Sequence, residues 1–123
     1  MDTGKTLIDA NVILRYLLDD DERMSRDAEL IIAGGAYTLP EVLCEVLYVL
    51  EGVYGMKKQD ACACLLMTLN VVAVENPEEM IKAILAYEKC NLDFVDCILL
   101  IQNLFYNTKV YTFDKKLRSK LVK

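Results

Sequence analysis

The sequence predicts an α/β fold in which short parallel strands alternate with helices. Four short apolar runs are separated by longer amphipathic stretches, and only two prolines and five glycines interrupt the 123 residues. Short strands that are uniformly apolar are typical of a parallel sheet covered by helices on both faces. The length and a hydrophobic content of 54% fit a single domain over residues 1–123 that buries a core of its own.

The first half of the chain is predicted to contain two strands and three helices. Acidic residues at 19–22 break the first helix and open the second, and Pro40 fits the first turn of the third. In chain order the predicted elements are a strand at 6–8, a helix at 11–18, a helix ending at Gly34-Gly35, a strand at 36–39 and a helix from Pro40 to Tyr54, closed by Gly55.

The second half is predicted to continue the alternation. β-branched residues favour a strand at 71–74, and Pro77 and Asp93 are suited to helix starts. The predicted elements are a helix at 58–69, a strand at 71–74, helices from Pro77 to about Lys89 and from Asp93 to about Tyr106, a strand at 110–112 and a short basic helix.

Composition excludes several kinds of site. The chain has no histidine, which excludes Ser-His-Asp and Cys-His nucleophilic sites and the commonest zinc-ligand sets. Five cysteines without a C-x-x-C pair indicate reduced, buried thiols in a cytosolic protein. Polar residues interrupt the first apolar stretch, so no secretory signal is expected. The longest apolar run, Ala61–Met67, is too short to span a membrane, and the protein is predicted to be cytoplasmic. The cysteines are Cys44, Cys62, Cys64, Cys90 and Cys97.

Charge is distributed unevenly along the chain. The net charge is −5, yet residues 109–123 carry six basic side chains and one acidic side chain. Such a segment could hold RNA phosphates through Lys115, Lys116 and Arg118. Its basic residues also suit the C-terminal end of a helix and solubility, and the sequence leaves both interpretations open.

Several acidic residues occupy positions suited to chemistry. Asp9 and Asp114 each follow a predicted strand, where open α/β sheets place functional side chains, and each could equally cap the helix that follows it. Asp93 and Asp96 fall in the first turn of a helix, where the helix dipole favours acids. Glu45 lies one turn from Glu41 on the polar side of the third helix, and the helical pattern does not distinguish the two.

Four segments of the sequence resemble PIN-domain ribonucleases, especially the toxin half of VapBC-type toxin–antitoxin pairs. The segments occur in the family's order and cover nearly the whole chain, although Ala10 replaces the threonine or serine usual after the first aspartate. The resemblance implies a PIN-like three-layer α/β/α domain with a short parallel central sheet of four strands, or five. The segments are residues 7–17 (LIDANVILRYL), 40–50 (PEVLCEVLYVL), 92–100 (LDFVDCILL) and 111–117 (YTFDKKL).

The resemblance also implies a set of site residues. An acidic quartet would hold Mg²⁺ or Mn²⁺, with Asn11 and Thr112 supporting it by hydrogen bonding and Asp93 as a spare ligand. Converging carboxylates repel one another unless a cation neutralises them, and oxygen ligands without histidine or thiolate select Mg²⁺ or Mn²⁺. Such a cation activates water for attack on a phosphodiester. The quartet is Asp9, Glu45, Asp96 and Asp114.

The leading hypothesis is therefore a metal-dependent endoribonuclease that acts on RNA as the toxin of a type II toxin–antitoxin pair. The alternatives are a catalytically silent PIN-like module that binds RNA or protein, and a housekeeping RNA-processing nuclease. Apolar helices at 42–54 and 62–67 are hard for a monomer of this size to cover, which predicts a homodimer and a groove for a small antitoxin protein.

Overall fold

The computed structural model describes residues 5–122, which divide into two compact units, residues 5–75 and residues 76–122. No helix among the described residues has both the length and the apolar character that crossing a bilayer requires. The first unit comprises β1 (Thr6–Leu7), α1 (Ala10–Leu18), α2 (Glu22–Ala33), β2 (Ala36–Thr38), α3 (Pro40–Gly52), α4 (Lys58–Val71) and β3 (Ala73–Val74). The second unit comprises α5 (Pro77–Lys89), α6 (Phe94–Phe105) and α7 (Lys115–Lys120).

The sheet of the first unit is parallel, as predicted, with strand order β1-β2-β3. Thr6 of β1 pairs with Ala36 of the central strand β2, and Tyr37 of β2 pairs with Ala73 of β3. Each strand connects to the next through helices, which is the crossover that parallel pairing requires. Short apolar runs therefore predicted three strands correctly in place and direction.

The prediction of four or five strands is wrong for the part of the chain that the structure describes, where the sheet has three. Residues 110–112 form no strand, and the backbone groups around Thr112 are bonded locally instead. The Thr112 carbonyl accepts a hydrogen bond from Arg118 Nη2 at 3.0 Å, and the Asp114 amide donates to Thr112 Oγ1 at 3.0 Å. These bonds occupy groups that a strand ladder would use.

The acidic run at 19–22 separates α1 from α2 as the sequence predicted. Asp19 takes a left-handed conformation with φ 50° at the end of α1. Asp21 caps α2 by accepting a hydrogen bond from the Met24 amide at 3.0 Å. Ser25 Oγ then donates to the Arg15 carbonyl at 2.9 Å, which ties the start of α2 to the end of α1.

The third helix is shorter than predicted. Pro40 occupies its first turn, and the helix buries Leu43, Val46, Leu47 and Leu50. It ends at Gly52 rather than Tyr54, since glycine is a poor helix former and the following turn places Gly55 at φ 69°. Val53, expected on the apolar face, is 69% exposed as a result.

The fourth helix is longer than predicted, and the third strand is correspondingly shorter. The helix continues through Val71, and its last turn is closed by a 2.8 Å hydrogen bond from the Val72 amide to the Thr68 carbonyl. β-branched residues favour strands, but the hydrogen bond from the Val72 amide to the Thr68 carbonyl keeps Val71 in the helix. The strand retains only Ala73–Val74.

In the second unit, α5 and α6 pack through apolar and aromatic side chains. Met80, Ala83 and Ile84 of α5 are buried, as are Cys97, Leu100 and Ile101 of α6. The rings of Tyr87 and Phe94 meet edge to face at 5.8 Å. Asp93 stands at the N-cap position of α6 but its side chain makes no capping hydrogen bond, so the predicted capping role of this side chain is wrong.

A buried hydroxyl joins β2 to the residue that precedes Asp9. Thr38 is 2% exposed, and its Oγ1 donates to the Ile8 carbonyl at 2.9 Å. The Ile8 amide in turn donates to the Tyr37 carbonyl at 2.9 Å. Together these bonds fix the backbone at the point where the chain leaves β1 and enters α1.

Thr38→Val should reduce the free energy of unfolding by about 1–3 kcal/mol, because the Ile8 carbonyl loses its buried donor while the side-chain volume is kept. Chemical denaturation measures this loss, and Thr6→Val on the exposed strand β1 is the matched control. Equal stability of the two variants would show that the Thr38 hydrogen bond contributes nothing.

Candidate functional site

Asp9 lies just beyond β1 and begins α1. Its Oδ1 accepts a hydrogen bond from the Val12 amide at 3.1 Å, so the helix-capping interpretation of this residue is confirmed. The side chain is nevertheless exposed, and the cap uses one oxygen of a carboxylate that has two. Asn11, on the first turn of the same helix, is also exposed and lines a groove between α1 and α2.

Glu45 and Glu41 are both exposed on α3, as the helical pattern predicted. The one difference between them concerns Cys44, whose thiol pKa is raised first by burial and then by the charge of Glu41. Because both carboxylates are exposed, exposure does not indicate which of them would bind a cation.

In the second unit, three carboxylates interact. Asp96 is half-buried in the first turn of α6, and its pKa is raised by burial and, in decreasing order, by the charges of Asp114 and Asp93. The start of α6 and the start of α7 therefore bring their acids together. A cation bound here would relieve the repulsion that raises this pKa.

The turn before α7 fixes Asp114 by hydrogen bonds on both sides. Asp114 Oδ1 accepts from the Leu117 amide at 2.9 Å and so caps the helix, while its own amide donates to Thr112 Oγ1. Leu117 is fully buried and anchors the helix that Asp114 begins. The capping interpretation of Asp114 is therefore confirmed, and its role as a ligand stays a prediction.

Asn103 is a positioning residue that the sequence analysis did not identify. It is 7% exposed, and its Nδ2 donates to the carbonyls of Thr108 and Val122 at 3.0 and 2.9 Å. Its Oδ1 accepts from the Val122 amide at 2.8 Å. One buried amide thereby holds both ends of the segment that carries Asp114. Cys97, Leu100 and Asn103 follow one another at intervals of three residues, which places Asn103 on the buried face of α6. This spacing was the sequence signal that could have identified Asn103.

The segment around Asp114 also exposes two aromatic rings. Tyr111 is 85% exposed and Phe113 is 80% exposed, and their rings meet edge to face at 5.3 Å. The basic residues expected to contact RNA lie close by in sequence, with Lys115 and Lys116 exposed on α7. Arg118 is exposed as well, although its Nη2 already donates to the Thr112 carbonyl.

The donors around Asp96 fit Mg²⁺ or Mn²⁺ in their chemistry. They are carboxylate oxygens, which these hard cations prefer, and the raised pKa of Asp96 marks a place where positive charge would be favourable. Among residues 5–122, no three Asp, Glu, Cys or His side chains stand in a ready-made cation-binding arrangement.

Comparison with protein families agrees with a parallel sheet and with helices that begin at acidic residues. The PIN domain family model matches residues 6–120. The chain belongs to the PIN domain family. PIN domains are in general nucleases and in general use divalent metal ions. Searches of the curated proteins and of the solved structures found no match.

Asp114→Asn should lower the pKa of Asp96 toward its ordinary value, because asparagine retains the cap but removes the larger of the two repelling charges. Asp93→Asn should lower it less, and Glu78→Gln, on the first turn of α5, should leave it unchanged. Carboxyl ¹³C shifts followed during a pH titration measure the three effects.

The same shift has a consequence for stability. Because the folded state binds the Asp96 proton more tightly than the unfolded chain does, this proton stabilises the fold at low pH. That stabilisation is lost as pH rises through the raised pKa, and Asp114→Asn should lessen the loss. An Asp96 pKa that does not respond to Asp114→Asn would contradict the electrostatic contact.

Proposed function

We propose that this PIN domain is a metal-dependent endoribonuclease in which Asp9, Glu45, Asp96 and Asp114 together hold Mg²⁺ or Mn²⁺. The observation that carries the proposal is the match of the PIN domain family, whose members are in general nucleases that use divalent metal ions, to residues 6–120. The acids at the starts of α6 and α7 add to it, since the charges of Asp114 and Asp93 act on Asp96. When bound, the cation would supply an activated water and offset the charge of the phosphodiester. No protein nucleophile is needed, which suits a chain without histidine.

Backbone hydrogen bonds would orient the ligands. Asp9 and Asp114 each commit one oxygen to a helix cap, which limits the rotation of the carboxylate and leaves the other oxygen for a cation. Thr112 Oγ1 accepts a hydrogen bond from the Asp114 amide and so supports the backbone of Asp114. Asn11 would support Asp9 from the first turn of α1, and Asp93 would serve as a spare carboxylate next to Asp96.

The segment from Tyr111 to Arg118 supports RNA as the substrate. The ammonium groups of Lys115 and Lys116 are exposed next to Asp114 and would hold phosphates close to the acids, with Arg118 contributing further positive charge. The exposed rings of Tyr111 and Phe113 offer faces on which unpaired bases can stack. Single-stranded RNA offers both phosphates for the basic side chains and unpaired bases for the aromatic rings.

We further propose that the protein is a homodimer and acts as the toxin of a type II pair. Tyr48 on α3 and Met67 and Val71 on α4 are exposed apolar side chains on neighbouring helices, which favours an interface between two copies. The groove between α1 and α2, lined by Val12, Met24 and Ile31, would accept an amphipathic antitoxin segment. An arginine or lysine from that segment would compete with the cation and silence the enzyme.

Asp9→Asn and Asp96→Asn should each reduce Mn²⁺-dependent cleavage of total RNA by about two orders of magnitude or more, with the fold retained, because each removes a charged ligand. Asp93→Asn should be milder. The two glutamates of α3 give a matched comparison, since Glu45→Gln should abolish cleavage while Glu41→Gln, which changes another exposed residue of the same helix, should not.

Three results would contradict the proposed activity or its site. Cleavage by wild type that persists in a chelator would exclude the metal-dependent mechanism. Equal activity of Glu45→Gln and Glu41→Gln would remove Glu45 from the site. Absence of cleavage by the wild-type protein under all metal conditions would favour the silent RNA- or protein-binding module instead.

Light scattering at micromolar concentration should give twice the mass of one chain. Met67→Lys should raise the dimer dissociation constant about tenfold or more, because it places a charge in an apolar contact. Gln59→Lys, exposed on the same helix α4, is the matched control and should leave the dimer intact. A wild-type monomer would defeat the dimer proposal.

A further inference from the structure

Two cysteine sulfurs lie close together beside the acidic residues of α6. Cys90 Sγ and Cys97 Sγ are 3.6 Å apart. Cys90 is half-buried at the C-cap of α5, and Cys97 is fully buried within α6. Neither residue has a place in the proposed nuclease chemistry.

The two thiols are near enough to be joined by a local movement. A disulfide needs an S–S distance of about 2.05 Å, so the sulfurs must approach by about 1.5 Å. Cys97 is held in the first turn of α6, where its amide donates to the Asp93 carbonyl at 3.0 Å. Cys90 belongs to an irregular connection between α5 and α6, so its backbone is the part that can adjust.

Two of the other cysteines are less suited to oxidation. Burial raises the pKa of the Cys44 and Cys64 thiols, and nearby acids raise it further. A raised pKa lowers the fraction of reactive thiolate at neutral pH. The pair at Cys90 and Cys97 instead combines a partly accessible thiol with a second sulfur within reach, which is the arrangement of a redox-sensitive cysteine and its resolving partner.

We propose that Cys90 and Cys97 are a reversible oxidation site that closes into a disulfide in the presence of hydrogen peroxide. The Cys90 thiolate attacks one peroxide oxygen, which forms a sulfenic acid and releases hydroxide that is protonated to water. The Cys97 thiol then condenses with the sulfenic sulfur, forms the S–S bond and releases a second water. Two thiols lose two electrons and two protons, and the peroxide is reduced to two waters.

The resulting ring encloses Asp93 and Asp96. These are two of the three carboxylates that interact in the second unit. The Asp93 carbonyl is bonded to the Cys97 amide, so drawing Cys90 toward Cys97 should shift Asp93 and the first turn of α6, which carries Asp96. Cation ligands must hold their positions to within about 0.2 Å, so the oxidised form should bind Mn²⁺ more weakly. This last consequence rests on the proposed function, whereas formation of the disulfide does not.

Peptide mapping of the full-length protein tests the disulfide directly. After peroxide treatment and alkylation, the tryptic peptide 90–109 should escape alkylation and weigh about 2 Da less than the peptide with two thiols. Cleavage on the N-terminal side of Asp93 and Asp96 should leave fragments joined only through the two sulfurs, and dithiothreitol should separate them. Sulfinic acid on Cys90 without a cross-link, or linkage of either cysteine to a different one, would overturn the proposal.

The effect on the acidic segment is measured in two ways. Amide chemical shifts of Asp93 and Asp96 should change on oxidation without any metal, and Mn²⁺ affinity should fall about tenfold or more. Cys90→Ser should bind Mn²⁺ normally and become insensitive to peroxide, whereas Cys64→Ser should remain sensitive. A disulfide that forms but changes neither the shifts nor the affinity would refute the coupling. A reduced protein that binds no Mn²⁺ would instead refute the proposed function, and the disulfide and the chemical shifts would still decide the redox site.

Discussion

The charged form of Asp96 is disfavoured, because burial and, in decreasing order, the charges of Asp114 and Asp93 raise its pKa, and contacts within the second unit hold the segment that carries Asp114. The buried amide of Asn103 binds the backbone at Thr108 and Val122, on either side of the segment. Leu117 adds an apolar anchor. The segment that carries Asp114 is thus held by Asn103 and Leu117, and also by the helix cap that the Asp114 carboxylate itself forms.

The same aspartates serve as helix caps and as candidate ligands, and the two roles support each other. Asp9 and Asp114 each accept a hydrogen bond from an amide in the first helical turn, which fixes the carboxylate where a chain segment ends and a helix begins. A cap needs only one carboxylate oxygen. The capping interpretation, which sequence alone set against the functional one, is therefore no argument against metal binding. It explains how an exposed side chain is given a defined orientation.

Local patterns predicted most elements of the fold, and the errors arise from side-chain hydrogen bonds and a helix end that apolar periodicity does not show. Apolar runs and prolines predicted three strands and the starts of α3 and α5, since these signals act within a few residues. The strand expected at 110–112 failed because Arg118 and the turn at Thr112 bond its backbone, which no periodicity reveals. The predicted end of α3 at Tyr54 failed because Gly52 stops the helix first.

The candidate site was predictable in part. Asp9 follows a strand and Asp96 lies in a first helical turn, as predicted, while their role as ligands stays a prediction. Sequence could not separate Glu45 from Glu41, and both are exposed in the structure. Thr38 and Asn103 were missed, since the value of a buried polar side chain depends on partners far along the chain. Such residues position the acids without bearing the chemistry themselves.

The central proposal is that Asp9, Glu45, Asp96 and Asp114 hold one cation, and paramagnetic broadening by Mn²⁺ tests it most directly. In ¹⁵N-labelled protein, substoichiometric Mn²⁺ should broaden the amide signals of Asp9, Glu45, Asp96 and Asp114 together, and Mg²⁺ should compete and restore them. Broadening confined to Asp96 and Asp114, with Asp9 and Glu45 unaffected, would contradict a shared cation and with it the proposed nuclease site.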